Sequence, residues 1–267
     1  MRALLETLLA VARSAAELIL EAYDRPFDVQ LKRDREPVTA ADRRANAVIC
    51  EALAEQFPGV PIVAEESHPE TFRDFRSAPR VFFVDPLDGT REFVARNGEF
   101  AVMIGLLEGA RAVAGAVHAP EARRSWVGAP GTGAWRVEPD GQWVPVRVST
   151  VSDLRRSRLV ASRSHRSVSL QRALTALGGA GVRALGSAGL KGAEIAQGSA
   201  DAYVDTGTRT KRWDACAIDA LVTAAGGRVT DTLGAPIDYR GPDLANRRGL
   251  LVTNGLVHDA ILARLLR

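Results

Sequence analysis

The run FFVDPLDGTREF, residues 82–93, constrains this chain more than any other stretch. Phe82, Phe83 and Val84 read as a buried strand, and Asp85 and Asp88 follow at once, with Pro86 between them and Gly89 and Thr90 behind. Proline removes an amide donor from a sheet ladder and Asp-Gly supplies a turn. The expectation is therefore a strand broken at Pro86 that frees both carboxylates at the rim of a sheet. A turn without chemistry uses the same residue types. Two further acidic stretches shift the weight toward chemistry: VAEES sets Glu65 and Glu66 just after another apolar strand, and RWDACAIDA sets Asp214 at the start of an apolar helix. Their rival readings are a helix N-cap for Asp214 and a solvated loop for Glu65 or Glu66.

Carboxylates gathered at one rim repel one another and raise their own pKa values unless a cation neutralises them. A set of oxygen ligands without histidine or cysteine points to a hard cation, Mg²⁺ before Zn²⁺. With Asp88 bridging two ions roughly 3.5–4 Å apart, such a site activates water and stabilises the leaving oxygen of a phosphate ester. VTAAD adds Thr39 and Asp42, which have the spacing of a helix capping box. An Asp42 hydrogen-bonded to Thr90 would instead make that hydroxyl a proton acceptor for the attacking water. Spacing alone does not bring the two side chains together. The residues by themselves read as a Mg²⁺-dependent phosphate-ester hydrolase.

Composition excludes several other classes. With 267 residues, 46% of them hydrophobic, the chain can bury a large core as one domain or two coupled lobes. A net charge of +3, from 35 basic against 32 acidic residues, is too slight to indicate a nucleic-acid partner. Arg155, Arg156, Arg158, Arg163 and Arg166 cluster, as a solvated face or an anion-binding one. Cys50 and Cys216 lie far apart and form no metal-type pair, which suits a reducing, cytoplasmic setting. No apolar run is long enough to cross a bilayer, and the opening segment, with Leu4, Leu5, Leu8, Val11, Ala12, Ala15, Leu18 and Ile19 at helical spacing, reads as an amphipathic helix. The expected partner is a small phosphate ester, with no nucleic acid and no membrane; monomer and homodimer both stay open.

Two helices open the chain, separated by the polar stretch DRPFDVQLKRDREP, and short β-rich runs follow from VPIVA to WVPVRVS. Past residue 150, strands and helices alternate. The pattern predicts mixed α/β layers in two lobes, 1–150 with most of the acidic candidates and 151–267 with Asp214.

VTAAD, VAEES, VDPLDGT and WDACAIDALVTAAGG, in that order across residues 38–227, resemble the inositol monophosphatase-like superfamily of lithium-sensitive, Mg²⁺-dependent phosphatases. The resemblance implies a layered α-β-α-β-α sandwich. It carries metal-ligand roles onto Glu65, Asp85, the main-chain carbonyl of Leu87, Asp88 and Asp214, with two or three Mg²⁺ ions per site and inhibition by Li⁺. It also makes Asp42 and Thr90 the pair that activates water. DGTREF followed by NGEF, with ASRSH, GSAGLK and TKRWDACAIDALVTAAGGRVTD, is similar to the 3′(2′),5′-bisphosphate nucleotidase branch. That similarity implies a nucleotide site lined by Gly89, Ser162, His165, Ser187, Gly189 and Lys191, where Arg209, Lys211 and Arg212 add positive charge. The implied reaction releases the 3′-phosphate of adenosine 3′,5′-bisphosphate, with the sulfated analogue as a second candidate. The rivals are an inositol or sugar phosphate phosphatase with the same metal site, and a nucleotide-binding protein without turnover.

Overall fold

The computed structural model describes residues 1–31, 37–207 and 209–266, so part of the polar stretch after the first helix lies outside the described residues. Helix α1 (Arg2–Tyr23) forms as its spacing predicts, with Leu5, Leu8, Ala12, Ala15 and Ile19 buried along one face. Two short antiparallel strands, β1 (Gln30–Leu31) and β2 (Pro37–Val38), lead into α2 (Ala40–Gln56). Then come β3 (Ile62–Ala64), β4 (Arg80–Asp88), the one-turn helix α3 (Thr90–Val94), β5 (Ala101–Glu108), β6 (Arg111–Ala119), β7 (Arg124–Ala129), β8 (Gly133–Val137) and β9 (Trp143–Pro145). Strands β3 to β9 make one sheet in chain order, with β3 parallel to β4 and every later pair antiparallel.

The remaining chain runs β10 (Arg158–Ser162), α4 (Val168–Leu177), β11 (Gly181–Leu185), α5 (Ala188–Ala196), β12 (Ala202–Asp205), α6 (Arg212–Ala224), β13 (Arg228–Thr230), β14 (Leu250–Thr253) and α7 (His258–Leu265). Its five strands order as β11-β10-β12-β14-β13. Alternation along β4 shows how the layers stack. Phe82 and Val84 pack with Leu8 and Ile49 of α1 and α2, while Val81 and Phe83 pack with Cys216 and Leu221 of α6. Leu177 of α4 and Ile261 of α7 cover the far face of the second sheet. The result is an α-β-α-β-α sandwich, as expected.

Two features were not expected. Strand β4 does not break at Pro86. It continues to Asp88 through a bulge, because three steps from Asp85 to Asp88 lie opposite only two on β5, from Met103 to Ala101. A bulge is where a strand tolerates proline, since the extra residue leaves the ladder there in any case. The second feature is a row of glycines, Gly105, Gly115 and Gly128, paired in register across β5, β6 and β7. A Cβ at Gly105 would sit 2.6 Å from the Ala217 nitrogen, and one at Gly115 would sit 2.1 Å from the Ala217 oxygen. The row lets the backbone of α6 rest directly on the sheet.

The arginine cluster is largely spent on internal partners: Arg155 meets Asp153, Arg158 meets Asp201, and Arg163 donates through Nε to Glu99 at 2.8 Å. Among the described residues no helix is long and apolar enough to cross a membrane. On β6, His118 is buried against the Ser125 hydroxyl at 2.8 Å, and burial, reinforced by Arg13, pushes its imidazole down to about 4. The unfolded chain, titrating near 6.5, then binds more protons than the folded one between pH 6.5 and 4. Stability from this group is complete above that window and falls as pH drops through it. The stability advantage of the wild type over His118→Gln is expected to shrink by about 2–3 kcal/mol between pH 7 and 4.5 in denaturant titrations. A constant difference would mean that His118 titrates normally in the fold.

Candidate active site

The bulge of β4 and the start of α6 bring Asp85, Asp88 and Asp214 together, with one oxygen of each within 4.8 Å of the others. Asp85 is 2% exposed and accepts from the Leu87 amide at 3.0 Å, which fixes its carboxylate inside the bulge. Asp214 is the third residue of α6 and accepts from the Lys211 amide at 2.6 Å, so it closes the helix start from within rather than serving as the N-cap itself. Glu65 joins the same cavity just beyond β3, where its amide donates to the Val84 carbonyl at 3.1 Å. Glu66 lines a neighbouring shallow groove instead.

Burial, then the charges of Glu65, Asp88 and Asp214, pushes Asp85 well above the usual carboxylate range. Burial followed by Asp88 and Glu65 does the same to Asp214. Four acidic side chains around one point are thus held in mutual repulsion, which a bound cation would relieve. All the candidate ligands offer oxygen, and Leu87 lines the same cavity. The set fits a hard divalent ion held by Glu65, Asp85, Leu87, Asp88 and Asp214.

The Asp42 carboxylate, 1% exposed, serves two partners. Oδ2 accepts from the Thr39 amide and hydroxyl, each at 2.7 Å, and Oδ1 accepts from the Thr90 hydroxyl at 3.0 Å. The capping box and the Asp42–Thr90 contact, rival readings in the sequence, are therefore two sides of one carboxylate. Thr90 also reaches the Leu87 carbonyl at 3.2 Å. Gly89 turns the chain between Asp88 and Thr90 at φ 97°, and a Cβ there would meet the Glu99 carbonyl at 2.9 Å, so this turn takes no side chain.

Residues of the second sheet and its helices close the cavity, which encloses about 430 Å³. The Ser187 hydroxyl and the Gly189 amide both donate to Asp88 Oδ2, at 2.5 and 2.8 Å. The Lys191 ammonium is buried and donates to main-chain carbonyls of the turn before α5. The Ser162 hydroxyl accepts from the His165 amide at 3.0 Å, and both side chains line the cavity. Of the basic residues before Asp214, Arg209 and Lys211 line it too, whereas Arg212 lines a groove elsewhere.

Two carboxylates of this cavity escaped the sequence reading. Glu92 is 3% exposed and accepts from the Ser164 hydroxyl, joining α3 to the segment after β10. Asp205 ends β12 and accepts from the Gly207 amide and the Thr210 hydroxyl, each at 3.0 Å. The signal for Asp205 was the same as for Asp85, an acid at the end of an apolar strand.

Comparison with known proteins agrees with this geometry. The profile of the inositol monophosphatase family matches residues 1–267. The 3′(2′),5′-bisphosphate nucleotidase CysQ of Escherichia coli (strain K12) is 38% identical over 238 residues, 88% of this chain and 94% of the relative. The enzyme of the same name from Salmonella typhimurium is 37% identical over 252 residues, 94% of this chain and 99% of the relative. An inositol monophosphatase structure from Anabaena superposes with a TM-score of 0.81 at 29% identity, covering 99% of this chain and 96% of that one. By profile, identity and fold, this chain belongs to the inositol monophosphatase family.

Proposed function

We propose that this phosphoric monoester hydrolase removes the 3′-phosphate of adenosine 3′,5′-bisphosphate, giving AMP and phosphate, and also accepts the 5′-phosphosulfate analogue. The observation that carries the reading is one acidic, oxygen-only cluster lining the same cavity as Thr90, whose hydroxyl is held from behind by Asp42. The cavity's other walls suit a nucleotide: Arg209 and Lys211 offer charge to a second phosphate, and Leu170 and Val204 offer apolar surface to the nucleoside.

Glu65, Asp85, the Leu87 carbonyl, Asp88 and Asp214 are the groups that would hold Mg²⁺, two or three ions in all. When bound, Mg²⁺ supplies neutralisation of the phosphoryl oxygens and acidification of water. The chain's own residues do the rest. Thr90 donates its proton to Asp42, which leaves its oxygen free to accept from an attacking water aimed at phosphorus. Ser187 and Gly189 anchor Asp88, while Ser162 and His165 border the space left for the nucleotide. In this division, residues 1–150 contribute most of the acidic groups and 151–267 contribute Asp214 and the nucleotide contacts. Both cysteines are free thiols, consistent with work in the reducing cytoplasm.

The test is phosphate release from adenosine 3′,5′-bisphosphate, inositol 1-phosphate and fructose 1,6-bisphosphate, with Mg²⁺, with EDTA and with added Li⁺. The nucleotide is expected to lead in kcat/KM by about tenfold or more, a margin that one well-placed phosphate contact can supply. EDTA should abolish the rate and Li⁺ should lower it. A lead for inositol or sugar phosphate would overturn the substrate assignment and keep the phosphatase, whereas no turnover of any of the three would favour a nucleotide-binding protein.

A further inference from the structure

Lys191 reads in the sequence as a point charge for a substrate phosphate, and the structure gives it other work. Its side chain is 3% exposed, and Nζ donates to the carbonyls of Leu185, Gly186 and Ser187 at 3.3, 2.9 and 2.7 Å. An ammonium has three protons, so these three acceptors account for all of them. The Tyr203 ring covers another side of the ammonium, with Nζ 5.0 Å from its centroid. A phosphate in the cavity, which Lys191 also lines, would have to displace one of these bonds to reach Nζ.

Consecutive carbonyls of an extended strand point to opposite sides. Those of residues 185–187 instead converge on one ammonium as β11 gives way to α5. Ser187, which ends this turn, sits at φ 43° without being glycine, a conformation that needs outside support. From that conformation its hydroxyl donates to Asp88 at 2.5 Å and accepts from the Leu190 amide at 3.0 Å, and the Gly189 amide donates to the same Asp88 oxygen. Oδ2 is thus held twice, in a carboxylate that has one oxygen within 4.8 Å of oxygens of Asp85 and Asp214.

We infer that Lys191 is a positioning residue for the metal site: it gathers the 185–187 carbonyls into the turn from which Ser187 and Gly189 orient Asp88, and it does not bind substrate. The inference rests on the metal-site reading above but on no particular substrate.

Mg²⁺ titration by calorimetry in the absence of substrate tests it. Lys191→Met is expected to bind Mg²⁺ roughly tenfold more weakly, the scale seen when groups that orient a metal ligand are removed. The sign is informative, because deleting a positive charge near acidic ligands would by itself strengthen cation binding. Ser187→Ala keeps the lysine and should show a comparable loss, and the double variant should be little worse than either single one. At saturating Mg²⁺, the KM of Lys191→Met for adenosine 3′,5′-bisphosphate should change no more than its KM for adenosine 3′-monophosphate. Unchanged or tighter Mg²⁺ binding, or a KM rise confined to the bisphosphate, would overturn the inference. If Lys191→Met does not fold, unaltered Mg²⁺ affinity in Ser187→Ala would overturn it alone. A wild-type protein that binds no Mg²⁺ would instead overturn the metal-dependent phosphatase reading itself.

Discussion

Asp88→Asn is expected to lower turnover on the order of a hundredfold or more while leaving the metal-free protein as stable as the wild type, or more so. The loss follows from how the two oxygens of Asp88 are used. Oδ2 accepts from Ser187 and Gly189, and the same carboxylate has an oxygen within 4.8 Å of oxygens of Asp85 and Asp214. An asparagine amide must turn its NH₂ either toward two donors or toward the cation, and both choices break the arrangement. The gain in the metal-free state follows from charge. Asp88 is among the charges that push Asp85 and Asp214 upward, so removing it relieves repulsion within the cluster. Steady-state rates and thermal melts in EDTA check both halves together. A folded variant with wild-type turnover would remove Asp88 from the metal site.

Gly115→Ala is expected to damage stability and activity together, although it lies in the middle of a strand. Its Cβ would sit 2.1 Å from the Ala217 carbonyl oxygen and 2.9 Å from the Ala217 carbonyl carbon, and both are backbone atoms. Helix α6 must lift by about an ångström or the sheet must bend, at a cost near the upper end for overpacking, about 3 kcal/mol. For a chain of this size that corresponds to a fall in Tm of roughly 5–10 °C. Because α6 carries Asp214, the same shift should cost turnover on the order of a hundredfold, as misplacements of that size do near a reacting centre. Gly181→Ala, where a Cβ would meet nothing within 4 Å, is the matched control and should change neither. Wild-type stability in Gly115→Ala would show that the seat of α6 is soft.

What could be seen in the sequence, and what could not, divides by range. Helix α1, the apolar strands and the acidic residues at strand ends announce themselves through local pattern and residue type. The bulge at Pro86 did not, because a proline predicts a missing ladder bond without saying whether the strand stops or continues with one residue extra. The contact between Asp42 and Thr90 spans 48 positions and depends on how α2 lies against β4. The glycine row depends on the register of three strands, where any one glycine alone would read as mere weakness in a strand. The partners of Lys191 were hidden for a related reason. A lysine beside a Ser-Ala-Gly turn carries the same letters whether its ammonium faces a ligand or the turn itself, and only the three converging carbonyls tell the two apart.

Asp42 and Asp214 share one further trait: each sits three residues past the first capping position of its helix and accepts that position's amide, from Thr39 at 2.7 Å and from Lys211 at 2.6 Å. Losing either carboxylate would loosen a helix start and, on the function proposed above, the chemistry as well. Selection for folding alone would therefore hold both in place, and a copy of this chain released from catalytic duty would keep them long after turnover had gone. Thr90 has no such second employment, since its hydroxyl reaches only Asp42 and the Leu87 carbonyl among the described residues. In descendants of this fold, Thr90 is where a retired enzyme would first betray itself.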